Sequence, residues 1–309
     1  MIELGRIACA LGGKIIDNRA AGVSEKVILS TGIGTRRTAA EGETLFDLAL
    51  KAAKAVEPKR DEIGAVIAAT FSYEDRFPSL AVRIASALGL KAEIPAFDLQ
   101  LACSAYPYAV YLAGQLAAAN GKATLVIDGD VQTRLVDAGD GATAPLFSDA
   151  ASASIVGINR FFDFSINRFD GDNKPTTTRE GEFRFWSRYD RALECGESGP
   201  VKMDGFKVFS FVATEVRKML EGMEADWFVP HQANMYMARQ LARSIGMEAK
   251  LLTSGEVYGN PGSASIPLTL AHHAAPIAGK TALIAGFGAG LSAAAGVVKI
   301  ADDFKGVVL

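Results

Sequence analysis

An α/β fold with mainly parallel strands is what this 309-residue sequence predicts. Three observations lead there. Short apolar runs alternate with stretches of helical pattern. That alternation occurs twice, in the same order. One helical stretch is apolar almost all round, as a helix inside a large core must be.

The apolar runs 65–70, 123–128, 227–230 and 281–285 have the length and composition of buried strands. Between them, 78–88, 105–119, 233–245 and 264–275 carry helical spacing. The segment 105–116 has almost no polar face: Tyr106, Tyr108, Ala109, Val110, Leu112, Ala113 and Leu116 surround it.

The order repeats. GAVIAATFS leads to a helix ending ASALGL, then a strand, Cys103, a helix and GKATLVIDGD. DWFVPHQ leads to a helix ending ARSIGM, then LLTSGEVYGN, a helix and GKTALIAGFG. Gly89 to Cys103 is 14 residues, and so is Gly246 to Asn260. Matched landmarks of this kind indicate a duplication. The expected organisation is a first half at 1–160, a connector or insertion at 161–200, and a second half at 201–309.

A duplication packed about a pseudo-two-fold axis brings particular residues together. Cys103 and Asn260 would occupy equivalent helix starts, facing each other. His231 follows a strand at its C-terminal end, the edge where open α/β sheets bind ligands. A thiol beside the free N–H groups of a helix start is expected to favour the thiolate. Taken singly, each residue has a plainer reading. Buried cysteines are common, a histidine after a strand can be structural, and Asn suits a turn. The convergence of the three carries the expectation of a site.

Composition excludes several classes. Net charge is −3, which gives no footing for a general nucleic-acid binder. Cys9, Cys103 and Cys195 are odd in number and far apart, so they form neither a disulfide framework nor a zinc spacing. They fit a reducing, cytoplasmic compartment. The N-terminal MIELGRIACALGGKII lacks a signal-peptide layout. The longest apolar stretch, 281–298, is broken by Gly286, Gly288, Gly290 and Ser292, so no membrane span is expected.

LACSAYPYAVYLA, WFVPHQANMYMARQLARSIGM, YGNPGSASIPLTLA and GFGAGLS resemble the ketoacyl-acyl carrier protein synthase III group of the thiolase superfamily. TGIGTRRTAAEGET, RFPSLAVRIASALG and PLFSDAASASIV support the match, which covers roughly 30–160 and 200–300. The resemblance implies a five-layer αβαβα duplication, a homodimer, and acyl carrier protein as partner. It implies a Cys103–His231–Asn260 triad. Cys103 would carry an acyl group, and the backbone N–H groups of Cys103 and Ala289 would form an oxyanion hole. A malonyl thioester would lose carbon dioxide, with His231 and Asn260 stabilising the enolate. Phe77 would help bound the acyl pocket, in the group often that of the partner subunit; Phe287 would pack near the nucleophile at that pocket, and Asn234 would order water or pantetheine. Arg239, Arg243 and Lys250 would dock the acidic carrier. No metal or redox cofactor would be needed.

The sequence departs from the group where coenzyme A is held. Lys26 and Ser30 stand where a Trp and an Arg are common, and Gly141 replaces a second Arg. Tyr236 replaces an Arg just beyond HQAN. The segment 160–200 reads as a hairpin over the pocket or a dimer-contact insertion. Two other functions stay open on the residues: an acyltransferase on the same fold, which forms no carbon–carbon bond, and a non-catalytic subunit of a heterodimer.

Overall fold

The computed structural model describes residues 1–158, 182–196 and 199–309. Nine strands and five helices position the site. In the first half these are β1 (Ile2–Leu11), β2 (Ile63–Ala69), β3 (Ala96–Leu99), β4 (Ala123–Asp130) and β5 (Ala150–Ile158), with α1 (Leu45–Ala55), α2 (Leu80–Ala87) and α3 (Ala105–Asn120). In the second they are β6 (Phe183–Asp190), β7 (Trp227–Pro230), β8 (Thr281–Gly288) and β9 (Gly290–Val308), with α4 (Met235–Ser244) and α5 (Ser265–His272).

The strand order shows the duplication directly. The first half runs β3-β2-β4-β5-β1, and the second runs β7-β8-β9-β6. Each half has a parallel pair at its core: β2 with β4, and β7 with β8. The following strand returns antiparallel: β5 on β4, and β9 on β8. An antiparallel partner closes each set, β1 on β5 and β6 on β9. The halves join where β9 pairs in parallel with β1. The strand at 183–190 therefore belongs to the second half's sheet, although the sequence placed it within the connector. Its apolar residues alternate only weakly with Arg184, Ser187 and Arg188, which hid it. The rest of the call on 160–200 falls largely outside the described residues.

Side-chain alternation sorts the core into three helical layers around two sheet layers. On β4, Ile127 joins a cluster with Leu48 of α1 and Ile84 of α2. Its neighbour Val126 faces the other way, into a cluster with Tyr106 and Val110 of α3 and Leu268 of α5. On β8, Ile284 shares that middle cluster, while Leu283 faces Leu241 of α4. This is the five-layer αβαβα arrangement. The lack of a polar face on 105–116 follows from it, because α3 has a sheet on each side.

Helix starts are tied to the sheets. Asp98 on the edge strand β3 accepts hydrogen bonds from the N–H groups of Leu80 (2.8 Å) and Ala81 (2.9 Å) at the start of α2. Hydrogen bonds to a charged acceptor at a helix N-terminus stabilise by about 1–2 kcal/mol. We expect Asp98→Ala to lose about that much in urea unfolding, with α2 becoming the first helix to exchange its amide hydrogens.

Candidate active site

Cys103 sits in a helical turn, 102–104, that leads into α3. Ser263 sits in the matching turn, 262–264, that leads into α5. Each turn opens on a left-handed residue, Ala102 at φ 45° and Gly262 at φ 65°. The structural counterpart of Cys103 is thus Ser263, not Asn260. The equal 14-residue spacing misled because Asn260 lies three residues before that position, in the approach to the turn. The two turns still pack against each other, so Asn260 is brought to the site from one step earlier in the chain.

His231 follows β7, held by its N–H to the Ala285 carbonyl at 2.7 Å. Its Nδ1 meets Ser265 Oγ at 2.8 Å, and that oxygen also accepts from the Gln232 N–H. The ring lies edge-on to Phe287, with centroids 5.5 Å apart. Burial pushes the imidazole down to about 4 from 6.5, so it is neutral at pH 7. Asn260 is fixed by both ends of its peptide unit. Its N–H donates to the Leu146 carbonyl, and its carbonyl accepts from the Ser148 N–H and Gln132 Nε2. Its side-chain Oδ1 accepts from the Gly262 N–H at 3.0 Å. Nδ2 makes only a long contact, 3.4 Å, to the Ala233 carbonyl. The amide therefore keeps a donor to offer.

The backbone at 286–290 runs against the cysteine. A Cβ on Gly288 would stand 2.8 Å from Cys103 Cβ and 3.3 Å from its Sγ. Only glycine permits that approach. A cavity of about 1000 Å³ opens beside it, lined by Cys103, Ala289, Thr70, Gln132, Phe147 and Cys195 among others. Neither His231 nor Asn260 lines it.

The thiol is not poised as a thiolate. Cys103 is 5% exposed. Burial, then the charge of Asp130, pushes its pKa up to about 12. A helix start contributes about 0.3–1 kcal/mol toward an anion, while desolvating a charge costs several kcal/mol. Burial wins, and the expectation of a helix-start thiolate is overturned for the unliganded protein.

Other expected residues lie elsewhere. Phe287 is buried against His231 and in the outer apolar cluster of the second half, away from the cavity. Phe77 is 85% exposed and lines no part of its own chain's cavity. Asn234 caps α4, its Oδ1 accepting from the Met237 N–H at 2.8 Å. Arg239 pairs with Glu256, Arg243 with Glu248, and Lys250 Nζ donates to the Ala225 carbonyl. Ser265, Gln132 and the aspartates Asp128 and Asp130 were missed. Two acids two residues apart in the apolar run ATLVIDGD were the available signal for the last pair. Among the described residues, no cluster of His, Cys, Asp and Glu could hold a metal ion. No described helix is long and apolar enough to cross a membrane.

Fold and site together define a thiolase-like protein with a buried cysteine presented at the start of a core helix. Residues 97–167 match the family described as 3-oxoacyl-[acyl-carrier-protein] synthase III, and 217–300 match its C-terminal part. Beta-ketoacyl-[acyl-carrier-protein] synthase III of Salmonella typhimurium is 31% identical over 288 residues, covering 87% of this chain and 88% of the relative. The Acholeplasma laidlawii protein of that name is 33% identical, covering 93% and 92%. The solved 3-oxoacyl-[acyl-carrier-protein] synthase III of Aquifex aeolicus superimposes with a TM-score of 0.82 at 27% identity, covering 96% of this chain and 99% of that one. The priming beta-ketosynthase of the R1128 polyketide pathway shares the fold, with a TM-score of 0.85 at 24% identity over 98% of this chain and 97% of that one. The chain belongs to the beta-ketoacyl-[acyl-carrier-protein] synthase III family.

Gly288→Ala is expected to displace Sγ and slow alkylation of Cys103 at least tenfold with the fold retained, read by thiol mass labelling and circular dichroism. His231 has a folded pKa below its unfolded one, so the unfolded chain binds more protons between pH 6.5 and about 4. Stability from this group is present above pH 6.5 and is lost as the pH falls. Relative to His231→Gln, the wild type should lose roughly 2–3 kcal/mol between pH 7 and 4.5 in urea unfolding.

Proposed function

We propose that the protein is an acyl-thioester condensing enzyme, and that Cys103, His231 and Asn260 carry the reaction. The observation that carries this is Cys103 at the start of α3, with the Gly288 backbone against its sulfur and a cavity, lined also by Ala289, beside it. Family membership supplies the class of chemistry.

The steps follow from the residues. A primer thioester acylates Cys103: the thiol sulfur bonds to the acyl carbon, and the proton leaves on the departing pantetheine thiol. The N–H groups of Cys103 and Ala289 face the developing oxyanion. The acyl chain occupies the cavity. A malonyl group on acyl carrier protein then approaches from the His231–Asn260 side and loses carbon dioxide. Asn260 Nδ2 and the imidazole N–H donate to the enolate oxygen. A neutral imidazole suits this role, because at pH 7 it donates without titrating. The enolate carbon attacks the acyl carbonyl, the Cys103 sulfur leaves as thiolate and takes a proton from solvent, and a 3-ketoacyl thioester results. Fatty acid or polyketide-type biosynthesis uses such a product. No metal or redox step enters.

The carrier is favoured over coenzyme A as primer donor. Lys26 and Ser30 are exposed, and the Ser30 hydroxyl turns back to the Val27 carbonyl. Neither offers an adenine stack. Arg239 and Arg243 are exposed enough to meet an acidic carrier, although each already has a carboxylate partner. A homodimer fits the exposed edge strand β3 with Phe97, and Phe77, which a second copy could receive at its cavity. The cytoplasm is the proposed compartment.

Intact mass after mixing with acyl-carrier protein or acyl-coenzyme A should show one acyl group, absent in Cys103→Ala. Asn260→Ala should retain this labelling and lose at least a hundredfold in condensation. Equal loss of both would favour a structural role for Asn260. Persistent labelling in Cys103→Ala would remove the assigned nucleophile.

A further inference from the structure

Two carboxylates lie beneath the site without a role in the steps above. Asp128 and Asp130 are two residues apart on β4, so they share the face that looks into the middle layer. Both are fully buried. Their surroundings differ. Asp130 Oδ1 accepts from Thr70 Oγ1 (2.8 Å), the Phe71 N–H (2.9 Å), the Ser72 N–H (3.1 Å) and Ser72 Oγ (2.8 Å). Asp128 Oδ1 accepts from Ser263 Oγ alone, the residue matching Cys103 in the second half. The second oxygen of each, Asp128 Oδ2 and Asp130 Oδ2, is buried with no hydrogen-bond partner.

Two residues along a strand, their Cα atoms are about 7 Å apart, so ionising both in a buried core costs more than ionising one. No cation pairs with either among the described residues. The titratable groups facing Asp128 are Asp130 on its own strand, Cys9 on β1, Tyr106 on α3 and Cys103 in the preceding turn; Ser263 adds an uncharged hydroxyl. Cys9 and Tyr106 stay neutral, their pKa values raised by burial first. Four donors stabilise the anion at Asp130, and one does so at Asp128.

We infer that Asp128 and Asp130 hold a single proton between them, resident on Asp128, and so set one negative charge rather than two behind Cys103. They are positioning residues, acting through the thiol without touching substrate. Burial raises both carboxyls, Asp130 to about 6 and Asp128 further, which agrees with that division. One charge holds Cys103 as a thiol between turnovers. A second would oppose ionisation further and hinder the sulfur when it leaves the acyl group. This rests on Cys103 as the nucleophile, but its test reads the thiol and the carboxyls without turnover.

The test is the pH dependence of iodoacetamide alkylation at Cys103, located by peptide mass, with Cys103→Ala as the blank. Asp130→Asn removes the charge and should speed alkylation at least tenfold at pH 8. Asp128→Asn replaces a neutral acid by a neutral amide and should stay within about twofold there. Equal acceleration by both variants means two charges and overturns the inference. No acceleration in a folded Asp130→Asn means none, and overturns it too. Should Asp130→Asn fail to fold, infrared spectroscopy decides. The wild type at pH 8 should show a protonated-carboxyl C=O band that Asp128→Asn lacks. A missing band, or one that survives in the variant, overturns the inference. If Cys103 proves not to be the acylated residue, these readouts remain interpretable on their own.

Discussion

Two left-handed residues, Ala102 and Gly262, set the geometry on which the site depends. Each reverses the chain into a tight turn, and each turn feeds a helix lodged between the two sheets. Glycine adopts that conformation without strain. Alanine does so at a cost of about 1–2 kcal/mol. The first half bears that cost immediately before its cysteine. Without the reversal, Cys103 could not lie under the Gly288 backbone with α3 running away behind it.

The same burial that fixes the cysteine also decides its chemistry. A helix start, a neutral imidazole and an amide side chain are all present, yet none outweighs the desolvation of a thiolate in a core with an aspartate behind it. Ionisation of the sulfur therefore has to accompany the arrival of substrate, which brings a carbonyl to accept the developing charge and a leaving thiol to take the proton. The neutral His231 follows the same rule: a buried base that cannot easily acquire charge becomes a hydrogen-bond donor.

Much of this was legible in the sequence, and the failures have physical causes. Strands and helices of the two halves were readable because each element is buried on defined faces, which imprints a period. Cys103, His231 and Asn260 were readable as three polar residues at element ends. The equivalence of Cys103 with Asn260 was misjudged, because spacing alone cannot see a three-residue difference in how two loops approach a turn. The strand at 183–190 was hidden by Arg184 and Arg188, whose long side chains place charge on a sheet face that remains partly wet. The thiol's state was misjudged because local pattern reports the helix start but not what surrounds it. Phe77 and Phe287 were placed by resemblance: Phe77 faces outward, as a residue offered to a partner subunit would, and Phe287 backs His231.

Asn260 belongs to the second half by sequence, yet Leu146, Ser148 and Gln132 of the first half satisfy its backbone. The seam between the duplicated halves therefore runs through the site itself. A shift of one half against the other would disturb the peptide that carries the amide. A fold that began as two copies of one unit has become, at this peptide, indivisible.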